Sequence, residues 1–417
     1  MVNRRIIGIF IIFLLMATSP SFANWSGPQE VVVGIWGADL GQFYFASGDT
    51  IDSFPREFGV DKNGFIVIPD GGNKRIVIYN EDGTVKSTLA KPAELPDLDN
   101  IKKWPLGFIL YSGGNNFVVN CNYQKTSSGR GPINICFMNY AGTVLSKIDI
   151  GLIFSIETGF VAYKNNNYSL YSPTGQLIKT STTRPAELGV VKQYGVGGAY
   201  KIKVTYPDNI YQFTSPQPLV RYYRDSNKYL YQIEKYVTKD KIVSYRVHKY
   251  TLCGKEISVL ALPLSQYEPM PDWAHDAPTW VPVPVMEYGE PLVSSAGDIY
   301  AWARTKTQYK ILKWTWVDDP NVPSGPDAPT NLVVAASING LYLTWTASPQ
   351  DPGCVTGYEI SRATSAGGVG TTVGTVNGGV LKYNDTSATA GTTYYYKVRA
   401  VSGTDYSPYT AEVTGKR

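Results

Sequence analysis

The chain has 417 residues, and its composition is dominated by tyrosine, glycine and proline, with 31, 40 and 27 copies. Only 17% of the residues are charged, and 38 basic against 34 acidic side chains leave a formal net charge of +4 without a basic stripe, so we expect no nucleic acid among its partners. Tyrosine favours strands, and glycine and proline favour turns, so the composition predicts an all-β protein.

Residues 1–23 have the pattern of a secretory signal peptide. Two arginines precede an apolar run at residues 6–16, and Ser-Phe-Ala at residues 21–23 supplies small residues for cleavage. As a helix, this run rises only about 16 Å, which is too short to cross a bilayer. We therefore expect cleavage after Ala23 and export to the medium, the periplasm or the cell surface. The mature chain has no stable membrane insertion in this prediction.

Residues 24–317 repeat a strand, a turn and a second strand. In the predicted first strand, buried and exposed residues alternate, and the strand ends in an aromatic residue or Met. A glycine then closes the turn, because the backbone there needs a positive φ. The repeats place this glycine at Gly83, Gly142, Gly175 and Gly254. A unit of roughly 40–50 residues predicts a β-propeller of about six blades, with five or seven as alternatives. Strands at 31–36 and 42–47 would complete the last blade, and a β-sandwich explains the repeats less well.

The first of these repeats, residues 55–85, has a second set of markers. A strand ends in Asp70, Arg75 begins the next strand, and Tyr79 ends it. This segment resembles the NHL repeat, whereas the other repeats lack the aspartate and the arginine. The resemblance implies a propeller scaffold. NHL propellers include protein- and RNA-binding scaffolds and a few lyases, so the resemblance dictates no activity.

The chain has four cysteines, Cys121, Cys136, Cys253 and Cys354. Cys121 and Cys136 lie symmetrically about a turn rich in glycine and serine. An antiparallel pairing that sets Cys121 opposite Cys136 also sets Val119 opposite Met138. We predict a disulfide between Cys121 and Cys136, which suits an oxidising compartment. The state of the other two cysteines stays open, since they fall in different predicted domains.

Residues 318–329 contain four prolines and predict a semi-rigid linker before a final domain at residues 330–417. In that domain, two strands bury every second residue in our prediction: Leu341, Leu343 and Trp345 on one strand, and Tyr394, Tyr396, Val398 and Ala400 on the other. These motifs resemble a fibronectin type III domain over nearly its whole length, with a tyrosine-corner strand. The resemblance implies a C-terminal β-sandwich.

The best candidate for chemistry is the proline-rich segment at residues 269–280. His275 has Asp272 and Asp276 beside it, and Trp273 and Trp280 flank the group. A histidine oriented by a carboxylate can act as a base in an aromatic-lined loop. The alternative is an insertion whose tryptophans pack onto the propeller. A metal site needs three or four converging ligands, so we predict no metal, and no cofactor is predicted either.

A second histidine and a group of tryptophans are also considered as site residues. His248 alternates with Arg246 and Tyr250, which predicts an exposed histidine on the polar face of a strand. Trp302 is a candidate for stacking on sugars, together with two tryptophans of the next strand. The alternative places these tryptophans in the core, where large aromatic side chains are common.

The sequence lacks the short signatures of common enzymes, among them G-x-S-x-G, H-E-x-x-H, C-x-x-C and the Walker A loop. We therefore predict an exported, monomeric, non-enzymatic binding or scaffold protein. Its propeller face would bind an extracellular protein or polysaccharide, and the fibronectin-like module would serve as a spacer or docking unit. The alternative is an extracellular polymer-degrading enzyme, a polysaccharide or peptide lyase or hydrolase, with His275, Asp272 and Asp276 in the propeller channel.

Overall fold

A computed structural model describes residues 25–43, 45, 54–55, 58–90, 108–109, 116–122, 133–150, 152–156, 159–172, 175–196, 198–206, 210–215, 221–240, 242–269, 284–317, 325–351, 353–403 and 405–417. These residues form strands joined by turns and two short 3₁₀ helices, Gly71–Asn73 and Ala186–Leu188. The all-β prediction is confirmed. Within this part of the chain, no helix has the length and apolar character needed to cross a bilayer.

Up to residue 317, the described strands form six sheets, of which the first five follow one another along the chain. Sheet 1 contains β3 (Gly59–Val60), β4 (Ile66–Asp70), β5 (Arg75–Tyr79) and β6 (Val85–Ala90). Sheet 2 contains β7 (Phe108–Ile109), β8 (Asn116–Asn122), β9 (Ile133–Asn139) and β10 (Val144–Ile150). Sheet 3 contains β11 (Leu152–Ile156), β12 (Gly159–Lys164), β13 (Asn167–Tyr171) and β14 (Leu177–Ser181). Sheet 4 contains β15 (Val190–Val196), β16 (Ala199–Thr205) and β17 (Ile210–Ser215). Sheet 5 contains β18 (Arg221–Arg224), β19 (Leu230–Val237), β20 (Val243–Tyr250) and β21 (Glu256–Ala261).

Sheet 6 joins strands from the two ends of this region. It contains β1 (Trp25–Trp36), β2 (Gln42–Phe43), β22 (Gln266–Tyr267), β23 (Pro284–Tyr288), β24 (Leu292–Val293), β25 (Ile299–Arg304) and β26 (Gln308–Trp316). β1 pairs antiparallel with β26, so that Trp25 faces Trp316 and Val32 faces Ile311. The N-terminal strand therefore completes the last sheet of the array, as the pattern at residues 31–36 predicted.

Hydrophobic cores join neighbouring sheets. One core joins sheets 6 and 1, another joins sheets 1 and 2, and two more join sheets 4 and 5 and sheets 5 and 6. Leu188, which precedes β15, packs with Val161 and Leu170 of sheet 3. We call the six sheets the sheet array. Four pairs of neighbouring sheets are therefore stabilised by shared hydrophobic cores.

The repeated turns have the backbone conformation that the sequence predicted. The four glycines at Gly83, Gly142, Gly175 and Gly254 have φ between +76° and +86°. Each glycine N–H donates to the carbonyl three residues earlier, at 2.9–3.0 Å. Each turn also packs against the preceding sheet. A Cβ atom at Gly83 would lie 1.7 Å from the carbonyl oxygen of Val31 in β1, so this position accepts no side chain.

The register of β8 and β9 differs from the prediction. Phe117, and not Val119, faces Met138, and Val119 faces Cys136. The ladder is irregular between Asn120 and Asn122, which places Cys121 in a bulge. Cys136 is buried and disulfide-bonded. The side chain of Cys121 lies outside the described residues, so the pairing of Cys121 with Cys136 stays a prediction.

The C-terminal region is a sandwich of two sheets. Sheet 7 contains β27 (Thr330–Ser337), β28 (Gly340–Thr346) and β31 (Lys382–Asp385). Sheet 8 contains β29 (Gly357–Ala363), β30 (Thr371–Asn377), β32 (Thr393–Ser402), β33 (Asp405–Tyr406) and β34 (Val413–Lys416). The predicted alternation is confirmed, because all seven residues that it placed inside belong to one buried core: Leu341, Leu343, Trp345, Tyr394, Tyr396, Val398 and Ala400.

Candidate functional site at the junction of array and sandwich

The loop that the sequence singled out for chemistry lies outside the described residues, which stop at residue 269 and resume at 284. Its side chains, Asp272, Trp273, His275, Asp276 and Trp280, therefore stay predictions. The structure does describe the base of the loop. β22 and β23 pair antiparallel on either side of it, at the end of sheet 6 opposite to β2. Both ends of the loop are thus fixed at one edge of this sheet.

Trp302 lies in the core of the array. It is 8% exposed, its ring centroid is 5.1 Å from that of Phe54, and a Cβ atom at Gly289 would lie 1.9 Å from its indole. Trp314 is also buried. The positions of both tryptophans agree with the interpretation that places them in the core, which was the alternative to stacking on sugars.

The prediction of an exposed His248 is wrong. Its side chain is 12% exposed, because it lies between two carboxylates that the sequence does not place beside it. Nδ1 is 2.8 Å from Oε2 of Glu256, and Nε2 is 3.2 Å from Oε2 of Glu234. Burial lowers the pKa of His248, but the hydrogen bonds to Glu256 and Glu234 outweigh burial and raise the pKa above its ordinary value.

This group makes an ion network and not a metal site. Arg246 adds a positive charge, with Nη1 3.4 Å from Oε2 of the buried Glu234. Among the residues that the structure describes, no group of three or more His, Cys, Asp or Glu side chains could hold a metal ion. The contacts of His248 with both carboxylates instead hold β19, β20 and β21 together.

Sheet 4 is narrower than the other sheets of the array in the part of the chain that the structure describes. It has three strands among the described residues, whereas the other sheets of the array have at least four. β17 is therefore the last described strand of sheet 4. Its contacts with sheet 5 are specific: Phe213 stacks on Tyr250 at 4.1 Å between centroids, and Gln232 donates to Oγ of Ser215 at 3.1 Å.

A disulfide joins the array to the sandwich at this place. Cys253, in the turn between β20 and β21, is bonded to Cys354, between β28 and β29, although the two lie 101 residues apart. Their Cα atoms are 5.0 Å apart. The two cysteines whose state the sequence left open thus connect its two predicted domains covalently.

Polar contacts surround the disulfide. Nζ of Lys255 lies 2.7 Å from Oδ1 of Asp327, and Oγ of Ser402 lies 3.4 Å from Sγ of Cys253. Nε2 of Gln350 donates to Oδ2 of Asp327 at 3.0 Å. Burial raises the pKa of Asp327, but the hydrogen bonds from Lys255 and Gln350 outweigh it and lower the pKa below its ordinary value. The carboxylate is therefore held in its charged form.

Gln212 of β17 lies against Gly254 and Gly353, which are the neighbours of the two disulfide cysteines in the chain. A Cβ atom at Gly254 would lie 2.5 Å from the carbonyl oxygen of Gln212, and one at Gly353 would lie 2.8 Å from its Nε2. The turn of sheet 5 and the loop of the sandwich therefore both pack on the middle of β17. We call the group of Gln212, Cys253, Lys255, Asp327 and Cys354 the junction.

A family comparison identifies the sandwich. Residues 327–416 match the model of the fibronectin type III domain. This part of the chain is a fibronectin type III domain. The NHL resemblance of residues 55–85 stays a prediction. No curated protein matches the chain.

Solved structures resemble the chain over this fibronectin type III domain or a longer stretch. A Fn3-like protein from Clostridium thermocellum is 36% identical, and the match covers 21% of this chain and 90% of that one, with a TM-score of 0.19. A fibronectin type III domain of human collagen XX is 22% identical, over 24% of this chain and 100% of that one, with a TM-score of 0.20. A segment of two such domains from chicken tenascin is 13% identical, over 55% and 98%, with a TM-score of 0.20.

The fibronectin type III domain has its own buried polar centre. Asp385 accepts hydrogen bonds from Arg362 Nη1 and from the hydroxyl of Tyr396, both at 2.7 Å. Burial raises the pKa of Asp385, but bonds from Ser387, Tyr396 and Arg362 outweigh burial and lower the pKa. This network fixes β29, β31 and β32 inside the domain, independently of the junction.

Sequence reasoning missed the junction, although one signal pointed to it. If Cys121 and Cys136 pair, as predicted, Cys253 and Cys354 are the remaining pair in an exported chain. The domain boundary at residues 318–329 obscured this, because cysteines in separate domains are not expected to meet. The sequence also gave no indication that Lys255 pairs with Asp327, since Asp327 lies inside the predicted linker and linker residues are not expected to make specific contacts.

Proposed function

We propose that this protein is an exported, monomeric, non-enzymatic binding scaffold, with a β-propeller body and a fibronectin type III domain fixed to it. The disulfide between Cys253 and Cys354 is the observation that carries the proposal, since it turns two modules into one body with two outer surfaces. Its partner would be an extracellular protein or polysaccharide, and neither a nucleic acid nor a membrane.

The propeller assignment for residues 25–317 is supported by the order of the sheets. Six sheets follow each other, the cores lie between neighbours, and β1 joins the sheet formed by the last strands of the array. Each repeated turn glycine packs on the preceding sheet, which is what a rotational repeat requires. A ring of six blades accounts for these features together. The face built by its loops would carry the binding site.

A fixed fibronectin type III domain supports binding to an extended partner. A flexible spacer would let the domain and the propeller face bind independently, whereas a fixed domain presents both in one geometry. No ordering of the two modules is then needed when the partner binds, so less conformational entropy is lost. A long polysaccharide or a large extracellular protein can contact both surfaces at once.

The test is a screen of the purified mature protein against polysaccharides and extracellular peptides, in which binding and product release are measured in the same samples. Binding without turnover supports the scaffold. Turnover that is lost in His275→Ala or Asp276→Ala, while the melting temperature is unchanged, would instead establish the polymer-degrading enzyme. If neither the full chain nor its loop variants bind or cleave any of these polymers, both proposals are contradicted.

One observation keeps the enzyme as the second candidate. The pairing of β22 with β23 closes the loop of residues 268–283 at the edge of sheet 6 opposite to β2. In a six-bladed ring, this edge borders the central channel, where His275, Asp272 and Asp276 would meet a polymer. A chelator should leave activity and melting temperature unchanged, because the proposal includes no metal or cofactor.

A further inference from the structure

The fibronectin type III domain lies against β17, the last described strand of sheet 4. Gln212, in the middle of β17, contacts the turn at Gly254 and the loop at Gly353. A strand at the end of a sheet has backbone N–H and C=O groups that can pair with another strand, and proteins commonly cover such strands with a loop or another element. Among the described residues, the loop at Gly353 and the turn at Gly254 both cover the middle of β17.

Among the described contacts, the disulfide is the covalent one that holds the domain there. The described contacts beside it are polar, namely the ion pair of Lys255 with Asp327 and the approach of Ser402 to Cys253. Asp327 is 42% exposed, and ion pairs with such an exposed member contribute little to stability. Within the described part of the chain, the core of the domain is separate from the cores of the array. Of the described contacts, loss of the disulfide would thus leave the exposed ion pair and the approach of Gln212 and Ser402.

We propose that the Cys253–Cys354 disulfide is a redox-controlled latch, which holds the fibronectin type III domain over β17 and releases it when the bond is reduced. The inference goes beyond the scaffold proposal and does not depend on any binding partner. It rests on the covalent link, on the polar contacts beside it, and on the position of Gln212 beneath both cysteine-bearing segments.

The chemistry of release requires a dithiol reductant. Cys253 is 3% exposed, whereas Cys354 is partly exposed, so a thiolate of the reductant attacks Sγ of Cys354. The S–S bond breaks, the mixed disulfide forms at Cys354, and Sγ of Cys253 leaves as a thiolate and takes a proton. The second thiol of the reductant then displaces Cys354. The protein gains two electrons and two protons, and the reductant becomes a disulfide.

Hydrogen exchange on the full-length mature chain tests the latch. The oxidised protein is compared with the same protein in dithiothreitol and with the double variant Cys253→Ser/Cys354→Ser. We expect amide exchange in residues 210–215 to accelerate by about tenfold or more in both, together with an increase in the radius of gyration measured by small-angle scattering. Exchange within β29 and β32 should stay slow, because the domain itself remains folded.

The matched control is Cys121→Ser/Cys136→Ser, which alters the other cysteine pair of the chain. This variant should match the oxidised wild type until dithiothreitol is added, and then open as the wild type does. Reoxidation of the wild type should restore slow exchange. Unchanged exchange at residues 210–215 and an unchanged radius of gyration, with Cys253 and Cys354 shown by alkylation to be free thiols, would overturn the proposal. Global unfolding of the reduced chain would overturn it too, because the cystine would then support the fold as a whole.

Discussion

Two of the repeated glycines combine a left-handed backbone with a close contact. At Gly83, φ is +82° and the space for a side chain is filled by the backbone of Val31. At Gly254, φ is +76° and the backbone of Gln212 fills that space. The conformation was predictable from the turn pattern, since only glycine adopts it without cost. The contact was not, because it depends on how neighbouring sheets pack.

Replacement of Gly83 tests this distinction. Gly83→Ala should lower the free energy of unfolding by about 3 kcal/mol or more, since alanine adds backbone strain and must also displace β1. Gly198→Ala is the control, because φ there is +85° and no atom lies within 4 Å of the added Cβ. That variant should lose only about 1–2 kcal/mol. Equal losses, measured by urea denaturation, would show that the contact with Val31 contributes nothing.

The environment of His248 predicts a pH dependence of stability. Glu256 and Glu234 raise its pKa above the ordinary 6.5, and Arg246, Tyr250 and the cross-strand partner Gln232 also lie near it. The folded state therefore binds the proton more tightly than the unfolded state. The contribution is fully present below pH 6.5 and is lost as the pH rises through the higher pKa of the folded state.

We therefore expect the free energy of unfolding to fall as the pH rises above about 6.5 in wild type, and to fall less steeply in His248→Gln. Urea denaturation at a series of pH values measures both slopes. If His248→Gln retains the full slope, the histidine does not carry the effect.

At the scale of elements, Arg75 connects the N-terminal strands to sheet 1. Its guanidinium donates to Asp70 at 2.8 Å, to the carbonyl of Ala38 at 3.0 Å and to that of Asp39 at 2.9 Å. The segment between β1 and β2 is thus held by the first residue of β5. The resemblance to the NHL repeat drew attention to Asp70 and Arg75, but it did not predict that Arg75 would hold β1 and β2.

Arg75→Ala should cost about 3–5 kcal/mol of stability, because Asp70 is 0% exposed and would keep a buried charge without this cation. Arg221→Ala is the control. Arg221 is 58% exposed and paired with Glu290, so its loss should cost about 1 kcal/mol or less. Chemical denaturation of the two variants gives the comparison, and similar costs would contradict the structural role of Arg75.

The strands of the fibronectin type III domain were predictable because burial there follows strict alternation, as in Leu341, Leu343 and Trp345. The register of β8 was not, since the ladder pairs Val119 and not Cys121 with Cys136, two positions from the predicted pairing, and a one-residue bulge follows at Cys121 without any signal in the sequence pattern. The prediction that His248 is exposed was wrong for a related reason. Its burial comes from Glu234 and Glu256, which lie on the strands to either side of its own.

At the scale of the whole molecule, the covalent bond and the ion pair at the junction should contribute very differently. Sequence could supply two separate modules and a pair of unassigned cysteines, but docking decides whether Cys253 and Cys354 meet. The pKa of Asp327 in the folded state lies below the ordinary 3.8. The contribution of the ion pair with Lys255 to stability is therefore fully present above pH 3.8, and it is lost as the pH falls through the lower pKa of the folded state. The disulfide is insensitive to this change.

Lys255→Ala should therefore leave the radius of gyration unchanged while the disulfide is intact, and should cost less than about 1 kcal/mol of stability. The same substitution in the Cys253→Ser/Cys354→Ser background should increase the radius further than the double variant alone. Small-angle scattering of the four proteins measures both effects. A larger radius in oxidised Lys255→Ala would mean that the ion pair, and not the disulfide, fixes the domain.

The direction of the strands in the fibronectin type III domain has a practical consequence. β32 begins at Thr393, beside Lys416 of β34, and ends at Ser402, against Cys253. Its ten residues span about 33 Å, so Arg417 and the junction lie at opposite ends of the sandwich. A sensor chip that captures the protein by a tag after Arg417 would hold the array one domain length above the chip, with its loops accessible to large analytes.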